Sequence, residues 1–94
     1  MGIRRAASEF GSAISDQQVS IDGTARALTR PTGAISAMVT NGAEPVRMRW
    51  GTPTASVGHY LNPYSVVDLY EDDLADVKFI RVSSTSVIDV TYFG

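Results

Sequence analysis

The sequence predicts an all-β domain, a small antiparallel sandwich or barrel, on three observations. Apolar and polar residues alternate over short runs, most plainly in Val46-Arg47-Met48-Arg49-Trp50, where Val46, Met48 and Trp50 share one face and Arg47 and Arg49 the other. Turn-forming residues punctuate the chain every few positions, and almost no stretch holds a helical period. Ninety-four residues leave room for one core and no second.

Residues 1–16 stand apart from the rest. Ile3, Phe10 and Ile14 are isolated among small and polar residues, with neither strand nor helix periodicity. We read 1–16 as an extended N-terminal arm that needs a surface to lie on, and 17–94 as the β domain. Within the arm, Glu9-Phe10-Gly11-Ser12 also matches the scar of a cloning linker.

From Gln17 the pattern turns to strand: Val19 and Ile21 alternate with polar neighbours up to a turn at Asp22-Gly23. Ala25 to Leu28 is a short second strand, ended by Arg30-Pro31-Thr32-Gly33. Ala34 to Thr40 places Ile35, Ala37 and Val39 on one face and Ser36, Met38 and Thr40 on the other. Asn41-Gly42 then reads as a tight hairpin turn into Val46–Trp50, with Pro45 at a strand's first position, where its missing N–H is harmless.

Two prolines and two glycines make residues 51–64 a long loop without regular structure. Ser65 to Tyr70 is a strand with Val67 and Leu69 opposite Val66, Asp68 and Tyr70. Glu71 to Asp76 is a polar connection with room for one helical turn. Val77–Val82 and Ser86–Tyr92 read as a closing pair around Ser83-Ser84-Thr85, with Ile88, Val90 and Tyr92 on one face. Trp50 and Phe79, lying in strand patterns, are read as core.

Composition narrows the function classes. Hydrophobic content is 44%, ordinary for a globular protein, but only 19% of residues are charged, and Ser, Thr, Gly and Ala take up the difference. That mix suits short strands, many turns and surfaces that meet neighbouring subunits. A net charge of −2 makes no case for nucleic acid as a partner. No apolar run has the length of a membrane span, and Met1-Gly2-Ile3-Arg4-Arg5 leads into no signal-peptide apolar region. Arg outnumbers Lys seven to one, and guanidinium forks favour interfaces.

Catalytic and metal chemistry find little footing. With no cysteine there is no disulfide, thiolate ligand or thiol nucleophile, and the single histidine, His59, sits in a Pro/Gly loop. No Gly-x-Ser-x-Gly elbow and no phosphate-cradling glycine pattern occurs. The acidic run Asp68, Glu71, Asp72, Asp73 and Asp76 offers oxygens to calcium but lacks EF-hand spacing; a solvated turn is the plainer reading. We therefore assign no catalytic, cofactor or metal residues. His59, Tyr60 and Tyr64 form an aromatic loop group suited to an interface, or to stacking on a sugar. Together with Arg4, Arg5, Phe10, Arg47 and Arg49 they are the candidate partner-contact residues.

From Gln17 onward the chain resembles short tailed-phage virion proteins. The matching stretches are Val19-Ser-Ile-Asp-Gly-Thr-Ala-Arg-Ala-Leu28, Val39-Thr-Asn-Gly42, Pro45-Val-Arg-Met-Arg-Trp-Gly-Thr52, Gly58-His-Tyr-Leu61 and a closing strand rich in Val and Thr. The resemblance covers about four fifths of the chain in turn-and-strand signals and carries no catalytic residues. It implies a jelly-roll-like sandwich that decorates or cements a phage head. The expected partners are then the major capsid protein and other copies of the chain, as a homotrimer, on the capsid surface of a virion assembled in the host cytoplasm. The alternative is a fibre or tail-tip module holding host glycan through His59, Tyr60 and Tyr64.

Overall fold

A computed structural model of the chain describes residues 12–94. Eight strands and one short helix follow in order: β1 (Ala13–Ile21), β2 (Arg26–Ala27), β3 (Ser36–Thr40), β4 (Val46–Trp50), β5 (His59–Leu61), β6 (Val66–Tyr70), α1 (Asp73–Asp76), β7 (Val77–Arg81) and β8 (Ser86–Phe93). They form two four-stranded antiparallel sheets, ordered β1-β8-β3-β6 and β2-β7-β4-β5. The pairing follows a simple rule. The chain is doubled back at residues 51–58, so that β4 pairs with β5, β3 with β6, β2 with β7 and β1 with β8. The doubled ribbon then curls so that β3 also meets β8 and β4 meets β7. This is the jelly-roll arrangement, an eight-stranded antiparallel sandwich.

The rule corrects two local expectations. β3 and β4 lie in different sheets, so 41–45 is a crossover and not a hairpin turn; β7 and β8 are likewise in different sheets and make no closing pair. Turn-forming residues bend the chain equally well in either role, and only the partners of the flanking strands distinguish them. Gly42 adopts no left-handed backbone. Its lack of a side chain serves close approach, because a Cβ there would collide with the Val87 carbonyl oxygen.

The core lies between the sheets. Ile21, Val39, Val46, Leu69, Val77, Phe79, Ile88, Val90 and Tyr92 are all buried there, supplied alternately by inward positions of six strands. Each such aliphatic or aromatic side chain contributes roughly 1.5–3 kcal/mol through burial. Tyr92 keeps its hydroxyl bonded while buried, donating to Gln17 Oε1 at 2.8 Å, and desolvation pushes its pKa up. Leu74 of α1 is also buried, which pins the helix across the β6–β7 connection.

β1 starts four residues before the expected arm boundary. Residues 13–16 pair with β8, and a register shift between Ala13 and Ser15 leaves Ile14 exposed. An irregularity of this kind interrupts alternation and hides the strand from a period-two reading. The remainder of the arm, with Arg4, Arg5 and Phe10, lies outside the described residues.

One polar cluster holds the crossovers together. Asn41 is buried, and its Nδ2 donates to the carbonyls of Glu44 (2.9 Å), Asn62 (3.1 Å) and Leu61 (3.3 Å). Its Oδ1 accepts from Ser86 Oγ at 3.1 Å. Its backbone N–H donates to Ser65 O at 2.8 Å. A single side chain therefore ties the β3–β4 crossover to the β5–β6 crossover and to the start of β8.

Candidate functional site

Of the contact residues read from the sequence, Arg47, Arg49, His59, Tyr60 and Tyr64 fall among the described residues, on or near β4 and β5, but not as one group. Residues 59–61, expected in an irregular loop, form β5 against β4, with Met48 opposite His59, Arg47 opposite Tyr60 and Val46 opposite Leu61. Neighbours in a strand point to opposite faces, so His59 and Tyr60 part company. Tyr60 goes to the outer face, where the Arg47 guanidinium lies 5.2 Å from its ring centre. His59 turns to the inner side at the sandwich's open end and meets Trp50 edge-on, with centroids 5.6 Å apart and planes at 86°. Tyr64 joins neither pair. It sits in the Asn62–Ser65 turn with φ 65, a left-handed conformation rarely adopted by bulky residues, and is 69% exposed.

Trp50 is not core. As the last residue of β4 it reaches past the end of the sandwich and is 49% exposed. Its indole Nε1–H donates to Asp73 Oδ1 at 2.8 Å, while Asp73 Oδ2 accepts the Tyr70 backbone N–H at 3.0 Å. Gly51 N–H donates to Asp76 O at 3.0 Å, so α1 is fastened to the end of β4 twice. The acidic run is thus dispersed: Asp68 lies on β6, Asp73 supports Trp50, and no group of three or more potential metal-ligating side chains forms among the described residues.

Arg47 acts within the chain. Nε donates to Ala55 O and Nη1 to Gly58 O, both at 3.0 Å, which draws the 51–58 loop onto the outer side of β4. The loop closes on itself through reciprocal Thr54–Val57 backbone bonds of 2.9 and 3.2 Å, with Thr54 Oγ1 accepting from Val57 N–H at 3.0 Å. Arg49, one period further along, is exposed, and its side chain makes no hydrogen bond or ion pair among the described residues.

Comparison with known proteins adds no relative to this geometry: no protein-family model, no curated protein and no solved structure matches the chain.

Two surfaces remain as candidates on physical grounds. One is a cleft of about 300 Å³ between the edge strands β5 and β6, floored by Met48, Leu61 and Leu69 and rimmed by Trp50, His59 and Asp68. An exposed indole whose N–H is held by the Asp73 carboxylate suits a flat-faced polar ligand such as a sugar ring. The other is the run of large exposed apolar side chains around the same edge, Tyr64, Val66 (56%) and Tyr70 (54%). Neither Trp50's exposure nor β5 leaves a signal in the sequence, because both depend on where neighbouring strands stop.

Proposed function

We propose that this protein is a virion structural protein, a decoration or cement protein that binds the outer surface of a phage head alongside other copies of itself. The observation that carries the reading is a small jelly roll whose open edge exposes Tyr64, Val66 and Tyr70 together. Clustered exposed apolar side chains with a polar surround mark protein contact surfaces, and aromatics are enriched among interface anchors. The jelly roll itself recurs in viral capsid and lectin domains. The resemblance of residues 17–94 to tailed-phage virion proteins adds a homotrimer and the major capsid protein as partners. Stabilisation would come from contact area added between capsomers and multiplied over many equivalent sites, with no bond made or broken. Heating particles with and without the protein tests this. Capsids that lose contents at a lower temperature without it are expected; identical stability, with the protein missing from purified heads, contradicts the reading.

The second reading is a host-glycan-binding module, and the Trp50–His59 cleft is what favours it. The residues that matter then shift from Tyr60 and Tyr64 to Trp50 and His59. Sugar-dependent quenching of the single tryptophan, lost in His59→Ala, is its signature.

A further inference from the structure

Charge is sorted by sheet. The strands of the β1-β8-β3-β6 sheet contain Asp16, Asp68 and Asp89 and no Lys or Arg, while those of the β2-β7-β4-β5 sheet contain Arg26, Arg47, Arg49, Lys78 and Arg81 and no Asp or Glu. The three aspartates alternate with inward Gln17, Leu69 and Val90, so all three lie exposed on the outer face of their sheet. Register sets Asp16, Thr91, Met38 and Asp68 in one row across that face, with Asp89 in the next between Gln18 and Thr40.

On the opposite outer face Arg49 stands directly across from Lys78, beside Arg47, whose guanidinium is engaged by the 51–58 loop; Arg26 and Arg81 pair with inward Phe79 and Val46 and so belong to the other side of that sheet. Like charges placed opposite one another destabilise an isolated sheet. The acidic face is under similar stress: Asp89's pKa is raised, chiefly by desolvation and then by its hydrogen bond and repulsion with Asp16. Thr91 Oγ1 donates to Asp16 Oδ1 at 2.8 Å, but no ion pair offsets either face within the described residues, where Arg26–Asp22 is the one salt bridge, at 2.7 Å. Asp76 lines the same shallow recess as Lys78 but forms no salt bridge with it.

We infer that the two outer faces are each other's partners, the acidic face of one copy docking on the basic face of a second copy. Such a contact is heterologous, and because the faces look in opposite directions its repetition builds a head-to-tail stack. Four strands at ~4.8 Å and five residues at ~3.3 Å give a face of about 300 Å² per copy, well below the ~800 Å² per partner of standard stable complexes. The contact is therefore weak in a single pair, strongly dependent on salt, and gains strength when copies are concentrated on a common surface. It goes beyond the virion reading and does not require it; because Val66 and Tyr70 flank Asp68 on the acidic face, a copy docked there competes with a capsid contact through the same strand.

Charge exchange tests the inference. Asp68→Lys with Asp89→Lys makes both faces basic, and Arg49→Glu with Lys78→Glu makes both acidic; all four positions lie outside the buried core, and circular dichroism checks that each variant folds. By sedimentation velocity the full chain should associate at ~0.01 M salt and dissociate at ~1 M, where the screening length drops from about 30 to 3 Å. Each double variant alone should lose association by about tenfold or more at low salt, and an equimolar mixture of the two should regain it, since opposite faces meet again. A mixture that stays dissociated, or a variant that associates like the parent chain, overturns the inference. A discrete trimer insensitive to salt also overturns it while leaving the capsid reading intact.

Discussion

Asn41 accepts a hydrogen bond from Ser86, 45 residues further along the chain, at 3.1 Å inside the junction where the chain passes between sheets. The same side chain donates to three backbone carbonyls, Glu44 in its own crossover and Leu61 and Asn62 at the β5–β6 crossover. A residue that reads as the first half of a hairpin turn is the polar centre of the crossovers. Buried amides with most of their capacity satisfied fix one arrangement of the chain, because any alternative leaves carbonyls unpaired in apolar surroundings.

Asn41→Ala should lower stability by about 1–3 kcal/mol, the cost of leaving buried polar groups unpaired. Ser86→Ala should cost less, since Ser86 Oγ makes one strong bond and one long one from Glu44 N–H at 3.4 Å. Urea denaturation of the single and double variants checks this. A coupling energy near zero between the two positions contradicts the junction's role.

The acidic face sets a pH dependence of unusual sign. Asp89's raised pKa means the folded state binds protons more tightly than the unfolded chain, so this group favours folding when protonated and the advantage is lost as pH rises through its folded value. Asp89→Asn should therefore stabilise the protein at neutral pH, by about 0.5 kcal/mol as for other like-charge neighbours. Asp22 behaves in the opposite way: its hydrogen bond to Arg26 holds it near 2 instead of the usual 3.8, so its contribution is present above 3.8 and disappears as pH falls toward 2. Melting temperatures across pH 2–8, roughly the span over which these carboxylates titrate, separate the two. A steeper loss near neutral pH in Asp89→Asn than in the parent would contradict the assignment.

Arg47 should prove structural before it proves a partner contact. Arg47→Lys keeps the charge but removes the forked donation to Ala55 O and Gly58 O. Faster hydrogen exchange at the amides of residues 54–58 is expected, with a stability loss of about 1 kcal/mol. Unchanged protection in that loop would show that Thr54 and Val57 hold it unaided.

Trp50 offers a direct optical check on the open end of the sandwich. It is the only tryptophan and is 49% exposed, so native fluorescence should be red-shifted and open to iodide quenching. Asp73→Asn should increase quenching by weakening the anchor on the indole N–H. Blue emission shielded from iodide would place Trp50 in the core after all.

Strands of at least five residues with one buried face show their alternation in the sequence, while the two-residue β2 is legible only from the turn residues on either side of it. Val46 and Met48, Leu69 with the half-buried Val67, and Ile88, Val90 and Tyr92 all take the inward positions that alternation assigns them. Three features escape that reading for separate reasons. β5 is three residues long, too short to display a period, and has Gly58 directly before it. The start of β1 is masked by its register shift. Trp50 keeps the phase of Val46 and Met48 but lies beyond the point where the facing sheet covers it. Phase tells which side a residue faces and says nothing about how far the cover extends. The separation of charge between the two sheets was also out of reach, because Arg49 and Lys78 become neighbours only through the pairing of β4 with β7.

The proposed capsid role turns on abundance. Quantitative mass spectrometry of purified particles, with the major capsid protein as internal reference, measures it in one step. A decoration protein should be present in hundreds of copies per particle, in fixed proportion to capsid protein. A handful of copies, as for a tail or fibre component, or none at all, would contradict the account.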